Sequence, residues 1–285
     1  TPTGGFPVSI KTTWEDVPAV NALLDGYTDG LAVAIAPVLL VPDYAGDCMR
    51  IRRASDNAEQ DIGFDGIDLD TAAIATFCAG TDGYVKTWYN QDGSGNDVTQ
   101  GTNAEQPKIY DASTGVELDN AKPSTLWSGA QRLINTTYQS AEVSDITVAA
   151  VASINETPFR DTIVDSLYAN NDFDTGFLTS PRFLEKTGST TIVQDTQYLF
   201  FGARNRTNNT TTGHLNGVLD LSTFAGTRGS IDGISIGQLG GFPTTASGSF
   251  NYNGHISAVI IYAADKSADR TAIETALNGY FNIYS

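Results

Sequence analysis

The chain has 285 residues, 17% of them charged, and a formal net charge of −17. It is long enough to bury a core of its own, and β-sandwiches of this size form single domains. Diffuse acidity repels phosphate backbones, which argues against DNA or RNA as a partner. No apolar run reaches the length needed to cross a bilayer, and no basic-then-apolar leader opens the chain. The start at Thr1 fits removal of an initiator Met or trimming of a precursor equally well.

Residues 1–22 carry Pro2, Pro7, Pro18 and a Gly pair, which predicts an extended arm rather than a helix. Phe6 and Trp14 are its apolar anchors. They either pack back onto the domain or dock the arm onto a partner subunit. Residues 23–285 are expected to form one domain. Leu31 to Val41, broken by Pro37, predicts a buried edge strand.

Met49 to Phe64 begins as a strand, breaks into a polar turn, and returns to apolar residues at Ile62 and Phe64. Arg50 and Arg52 share a strand face by alternation, with Asp56, Glu59 and Asp61 at hand for internal ion pairs. Asp70 to Ala79 predicts a short helix, N-capped by Asp70, with Ala73, Ile74, Phe77 and Cys78 on one face. Cys48 and Cys78 are expected as buried thiols, a disulfide being the alternative.

Val85 to Tyr89 reads as a strand that runs into the loop Asn90 to Asp97. Asp92, Asn96 and Asp97 gather oxygen ligands of the kind Ca²⁺ takes, but Asx and Gly are also ordinary turn residues, so the turn is favoured and no cofactor is expected. Strand signals then recur at 145–154, 162–168, 190–193, 198–203, 213–221, 233–237 and 255–262. Short strands at this spacing predict a sandwich or barrel. A closing helix is expected over Ala268 to Tyr280, with Ser267 as N-cap.

MRIRRASDNAEQDIGF, DLDTAAIATFCAG and WYNQDGSGNDVTQ resemble a module of bacteriophage structural proteins, similar in turn to the catalytic domain of arabinofuranosidase-B-type glycosidases. His214 to Ser222, with its Asn-Gly turn, Gly233 to Gly241 and Phe250 to Leu277 resemble a concanavalin A-like, laminin-G-like sandwich. The implied fold is an all-β jelly-roll sandwich with a short internal helix, a C-terminal helix and an extended N-terminal arm.

In those glycosidases a mid-domain Glu and an Asp in a late Gly-rich loop act as the carboxylate pair. Here Asp172, Asp174 and Glu185 fall outside that motif, and Gly237 to Phe250 holds no carboxylate. Asp161, Asp165, Asp172, Asp174 and Asp195 remain as material for a different pair. His214 and His255 have no recognisable nucleophile beside them. The expectation is therefore no enzyme, no catalytic residue, and a noncatalytic virion protein such as a capsid decoration, head-fibre or tail-fibre module. The resemblance implies that it is made in the host cytoplasm, docks other virion proteins through the arm and forms a homo-oligomer. Host surface glycans would be its outer ligand, with the aromatic residues Trp127, Phe242 and Tyr252 as candidate platforms. The alternatives are an arabinofuranosidase-like glycoside hydrolase and a secreted lectin-like adhesin, which would be extracellular.

Overall fold

A computed structural model describes residues 21–140, 145–156, 161–166, 175–177, 180–184, 186–224, 231–237 and 252–285. Residues 1–20 of the arm, with Phe6 and Trp14, lie outside the described residues. The architecture is an all-β sandwich with two α-helices, Thr71–Cys78 and Arg270–Phe281.

One layer is centred on Ile146–Ile154, which pairs antiparallel with Gln197–Asn205 on one side and Asn253–Tyr262 on the other. The hairpin Thr210–Leu215 and Val218–Phe224 extends it beyond Gln197–Asn205, turning at Asn216 and Gly217, both with positive φ. The other edge of Asn253–Tyr262 is shared by Leu31–Ile35 and Thr125–Ser128. From Thr125–Ser128 the ladder passes through Lys108–Asp111 and Gly83–Trp88 to Met49–Arg53. The second layer continues from Gly83–Trp88 by way of Val98–Thr99 to Leu133–Ser140, Ile231–Ile236 and Asp161–Ser166.

Ile146–Ile154 is buried at every residue, because the strand is covered on both faces. Val148, Ala150 and Ala152 join the core between the layers, while Ala149 and Val151 face a second core closed by the C-terminal helix. This removes the need for polar alternation and explains the continuous small apolar run. The helix contributes Ile273, Leu277, Tyr280 and Phe281, spaced to share one face. It ends at Asn282, φ 53°, whose N–H donates to Asn278 O at 2.7 Å.

The short helix carries the expected cap, with Asp70 Oδ1 accepting from the Ala73 N–H at 2.8 Å. Ser267 does not cap the second helix. Asp269 occupies that place, and Ser267 Oγ instead donates to Asp265 Oδ1 at 2.5 Å. The segment 190–193 is not a strand, because Asp220 holds the Ser189 and Thr190 N–H groups in a loop. Cys48 and Cys78 are free buried thiols.

Candidate functional site

Four strands set the floor of a cavity of about 590 Å³. Arg52 lies opposite Tyr84, Tyr84 opposite Lys108, and Lys108 opposite Leu126, so these side chains form one row across the sheet. The extra residue of the register shift opposite Arg50 and Ile51 is Lys86 on the partner strand, so Met49–Arg53 keeps its alternation: Ile51 enters the core, and Arg52 is buried on the other face under Gln106 and Asn103. Asn103, Ala104 and Gln106, from the 3₁₀ turn, and Ser128 and Gln131 line the remainder.

Arg52 is 6% exposed. Its Nε donates to Gln106 Oε1 at 2.7 Å, and its two terminal nitrogens donate to Asn57 Oδ1 at 3.1 Å and Asn103 O at 3.3 Å. The guanidinium lies 5.0 Å from the Tyr84 ring centroid. The neighbouring arginines behave as expected from the local acids: Arg50 makes a bidentate pair with Asp61, and Arg53 with Asp56.

At the same cavity, Lys108 Nζ lies 2.9 Å from both Asp82 Oδ2 and Asp111 Oδ2. Asp111 is held below the usual carboxylate range, first by the Ser113 hydroxyl and then by Lys108. For Asp82, burial acts upward, but the Ala112 N–H and Lys108 outweigh it and lower the carboxyl. Half-buried Glu117 goes the other way, raised by burial against the pull of Lys108. These acids anchor the lysine.

A second cleft, of about 260 Å³, contains two carboxylates, Asp119 and Asp195, with Asn120, Thr196, Gln197, Asn282 and Ile283 around them. Asp119 ends the strand Leu118–Asp119, and the turn to Lys122–Pro123 passes through Asn120 and Ala121, at φ 48° and 62°. Asn120 Nδ2 donates to Phe281 O at 2.7 Å and Asn282 O at 2.8 Å, which ties this turn to the end of the C-terminal helix.

Gln197 Nε2 donates to Asp119 Oδ2 at 3.0 Å and to Ser257 Oγ at 3.2 Å. Asp195 sits at φ 54° on an exposed turn fixed by its N–H to Ile154 O at 2.8 Å. Its carboxylate makes no hydrogen bond among the described residues. Two acids thus line one polar cleft, one held by Gln197 and one without a hydrogen bond among the described residues, and carboxylates are groups that serve as general acids, bases or nucleophiles. Asp119 also acts on His255, which burial holds below its usual value while Asp119 opposes the shift.

The aromatic platforms require correction. Trp127 and Tyr252 are fully buried. Trp127 donates Nε1 to Thr125 Oγ1 at 2.8 Å, and Tyr252 donates its hydroxyl to Ser153 O at 2.5 Å. Neither ring has a free face for a sugar. Phe242, Asp172, Asp174 and Glu185 lie outside the described residues. Asp161 and Asp165 are buried on one strand. Four residues apart, they are separated by about 13 Å, too far to act as a retaining pair.

Asp92, Asn96 and Asp97 are engaged in the turn itself. Asp92 accepts from the Ser94 N–H at 2.7 Å, Asn96 Nδ2 donates to Ser94 Oγ at 2.8 Å, and Asp97 accepts from the Asn90 N–H at 2.8 Å. Asn90 and Gln91 use their amides on the backbone of the first strand region, at Ala34 and Leu40. Among the described residues no cluster of three or more His, Cys, Asp or Glu is arranged to hold a metal. Sequence reasoning missed Asp119 and the isolation of Arg52. It named Asp195 only as one acid among several.

The family model described as "Alpha-L-arabinofuranosidase B, catalytic" matches residues 31–132. No curated protein matches the chain. A GH54 α-L-arabinofuranosidase soaked with a cyclic sulfate inhibitor shares the fold with TM-score 0.67 at 15% identity, over 90% of this chain and 65% of that one. A glutamate-to-glutamine GH54 variant soaked with 4-nitrophenyl α-L-arabinofuranoside gives TM-score 0.69 at 14% identity, with the same 90% and 65% coverage. An arabinofuranosidase complexed with arabinofuranosyl-α-1,2-xylobiose gives 0.65 at 15% identity, again over 90% and 65%. The chain thus spans 65% of the length of these solved enzymes.

The chain is distantly similar to the GH54 catalytic domain, and the β-sandwich reading holds. The phage-module resemblance finds no support. The noncatalytic virion reading, and with it the expectation of no enzyme, is overturned by the match to a catalytic-domain family.

Proposed function

We propose that this chain is a glycoside hydrolase domain of the arabinofuranosidase type, cleaving α-L-arabinofuranosyl groups from a larger carbohydrate. The observation that carries the reading is the catalytic-family match over residues 31–132, a stretch that includes Asp119. The fold likeness over 90% of the chain supports it.

Asp119 and Asp195 are the carboxylate pair of this reading. Asp119, oriented by Gln197, acts as nucleophile or as base toward a water. Asp195, unencumbered on its turn, protonates the departing glycosidic oxygen. This pair departs from the mid-domain Glu and late-loop Asp of the glycosidases, so the reading stands or falls on these two residues.

The test is hydrolysis of 4-nitrophenyl α-L-arabinofuranoside by the wild type, D119N and D195N. Each substitution is expected to lower kcat on the order of 10²–10⁴-fold without unfolding the chain. Full activity in both variants would remove the pair from the mechanism.

A further inference from the structure

The larger cavity holds a charge that the fold does not neutralise. Arg52 is 6% exposed, yet its hydrogen-bond partners are an amide oxygen of Gln106, an amide oxygen of Asn57 and the backbone carbonyl of Asn103. Among the described residues it makes no ion pair. Both flanking arginines do, as does Lys108 beside it. A buried cation without an anion is costly, and natural sites relieve that cost by pairing it. Guanidinium has five N–H donors, and three are spent here, which leaves two for an incoming oxygen pair.

The rest of the lining suits a sugar. Tyr84 and Leu126 offer apolar surface on the floor, and Ser128 and Gln131 offer polar groups at the rim. A cavity of about 590 Å³ accommodates one or two sugar rings. The groups that fix Arg52 are themselves fixed: Gln106 Nε2 donates to Gln100 O at 2.8 Å, and Asn103 Nδ2 to Asn57 Oδ1 at 3.0 Å. The guanidinium is therefore preorganised rather than free to swing out. With a net charge of −17 on the whole chain, long-range attraction cannot recruit an anion. Recognition has to come from contact.

We propose that the Arg52 cavity is a binding site for the carboxylate of an acidic sugar, a uronate unit of a glycan. It is lined by different residues from the Asp119 cleft and does not depend on the hydrolase reading.

The experiment titrates the full chain with methyl β-D-glucuronide, methyl β-D-glucoside and acetate, followed by NMR at about 0.15 M salt. The glucuronide is expected to bind at least tenfold more tightly than either comparator. N57D keeps the oxygen that accepts from Arg52 and Asn103 but supplies an internal carboxylate, so glucuronide affinity is expected to fall about tenfold or more. R52Q is expected to abolish the preference over the glucoside. Equal binding of the neutral glucoside, equal binding of acetate, no glucuronide binding, or unchanged affinity in folded N57D and R52Q would each overturn the proposal.

Discussion

Gln197 donates to Asp119 across 78 residues of chain, at 3.0 Å, and so links the family-matched segment to the central strand layer. Gln197 is 6% exposed and shares its other contact with Ser257 Oγ, which in turn donates to Ser124 Oγ at 3.0 Å. The amide is held from behind and orients the carboxylate in front. Replacing it with leucine is expected to lower kcat about tenfold while leaving KM within a factor of two or so, since only the aim of Asp119 is lost. Steady-state kinetics with the aryl arabinofuranoside reads this split. A change confined to KM would assign Gln197 to substrate binding instead.

Removing the Asp70 cap tests the short helix. The carboxylate satisfies the Ala73 N–H, and the helix packs Ile74 and Cys78 into the main core. Asp70→Ala is expected to cost about 1 kcal/mol, read as a lower urea midpoint with an unchanged slope.

Gly254 tests the close approach of two strands. A Cβ there would lie 2.0 Å from Ser153 O and 2.8 Å from Ile154 Cα, both backbone atoms that cannot swing away. Gly254→Ala is expected to destabilise by about 1–3 kcal/mol or more, measured by thermal denaturation.

His214 gives a pH dependence of known sign. Burial, with Arg270 as a second cause, pushes its pKa down to about 4. The unfolded value is about 6.5, so the unfolded chain takes up the proton first. Its contribution to stability is fully present above about pH 6.5 and is lost as pH falls toward 4. His255 shifts in the same direction through burial. Wild type is expected to lose urea resistance between pH 7 and pH 5, and His214→Gln to lose less. An equal loss in the variant would place the titration elsewhere.

Much of the framework was legible from local chemistry. Asp70 before an apolar helical face gave the first helix, Asn216-Gly217 marked the hairpin turn, and the Arg50–Asp61 and Arg53–Asp56 pairs followed from acids placed in the adjoining turn. The site was less legible because it depends on contacts between distant segments. Asp119 lies on a two-residue strand with no periodic pattern, and Asp195 reaches the same cleft from another part of the chain. Arg52 shares the face of Arg50, as alternation predicts, but its cover by Asn103 and Gln106 comes from a turn 51 to 54 residues on, which no local pattern shows. Trp127 and Tyr252 look like sugar platforms until the packing of both layers is known.

The most direct test of the account is to incubate the folded chain with arabinofuranosyl-substituted xylobiose and follow free arabinose by proton NMR. The account predicts release of arabinose by the wild type and none by the Asp119→Asn, Asp195→Asn double variant. No release by a folded wild-type chain, or equal release by the double variant, would contradict it.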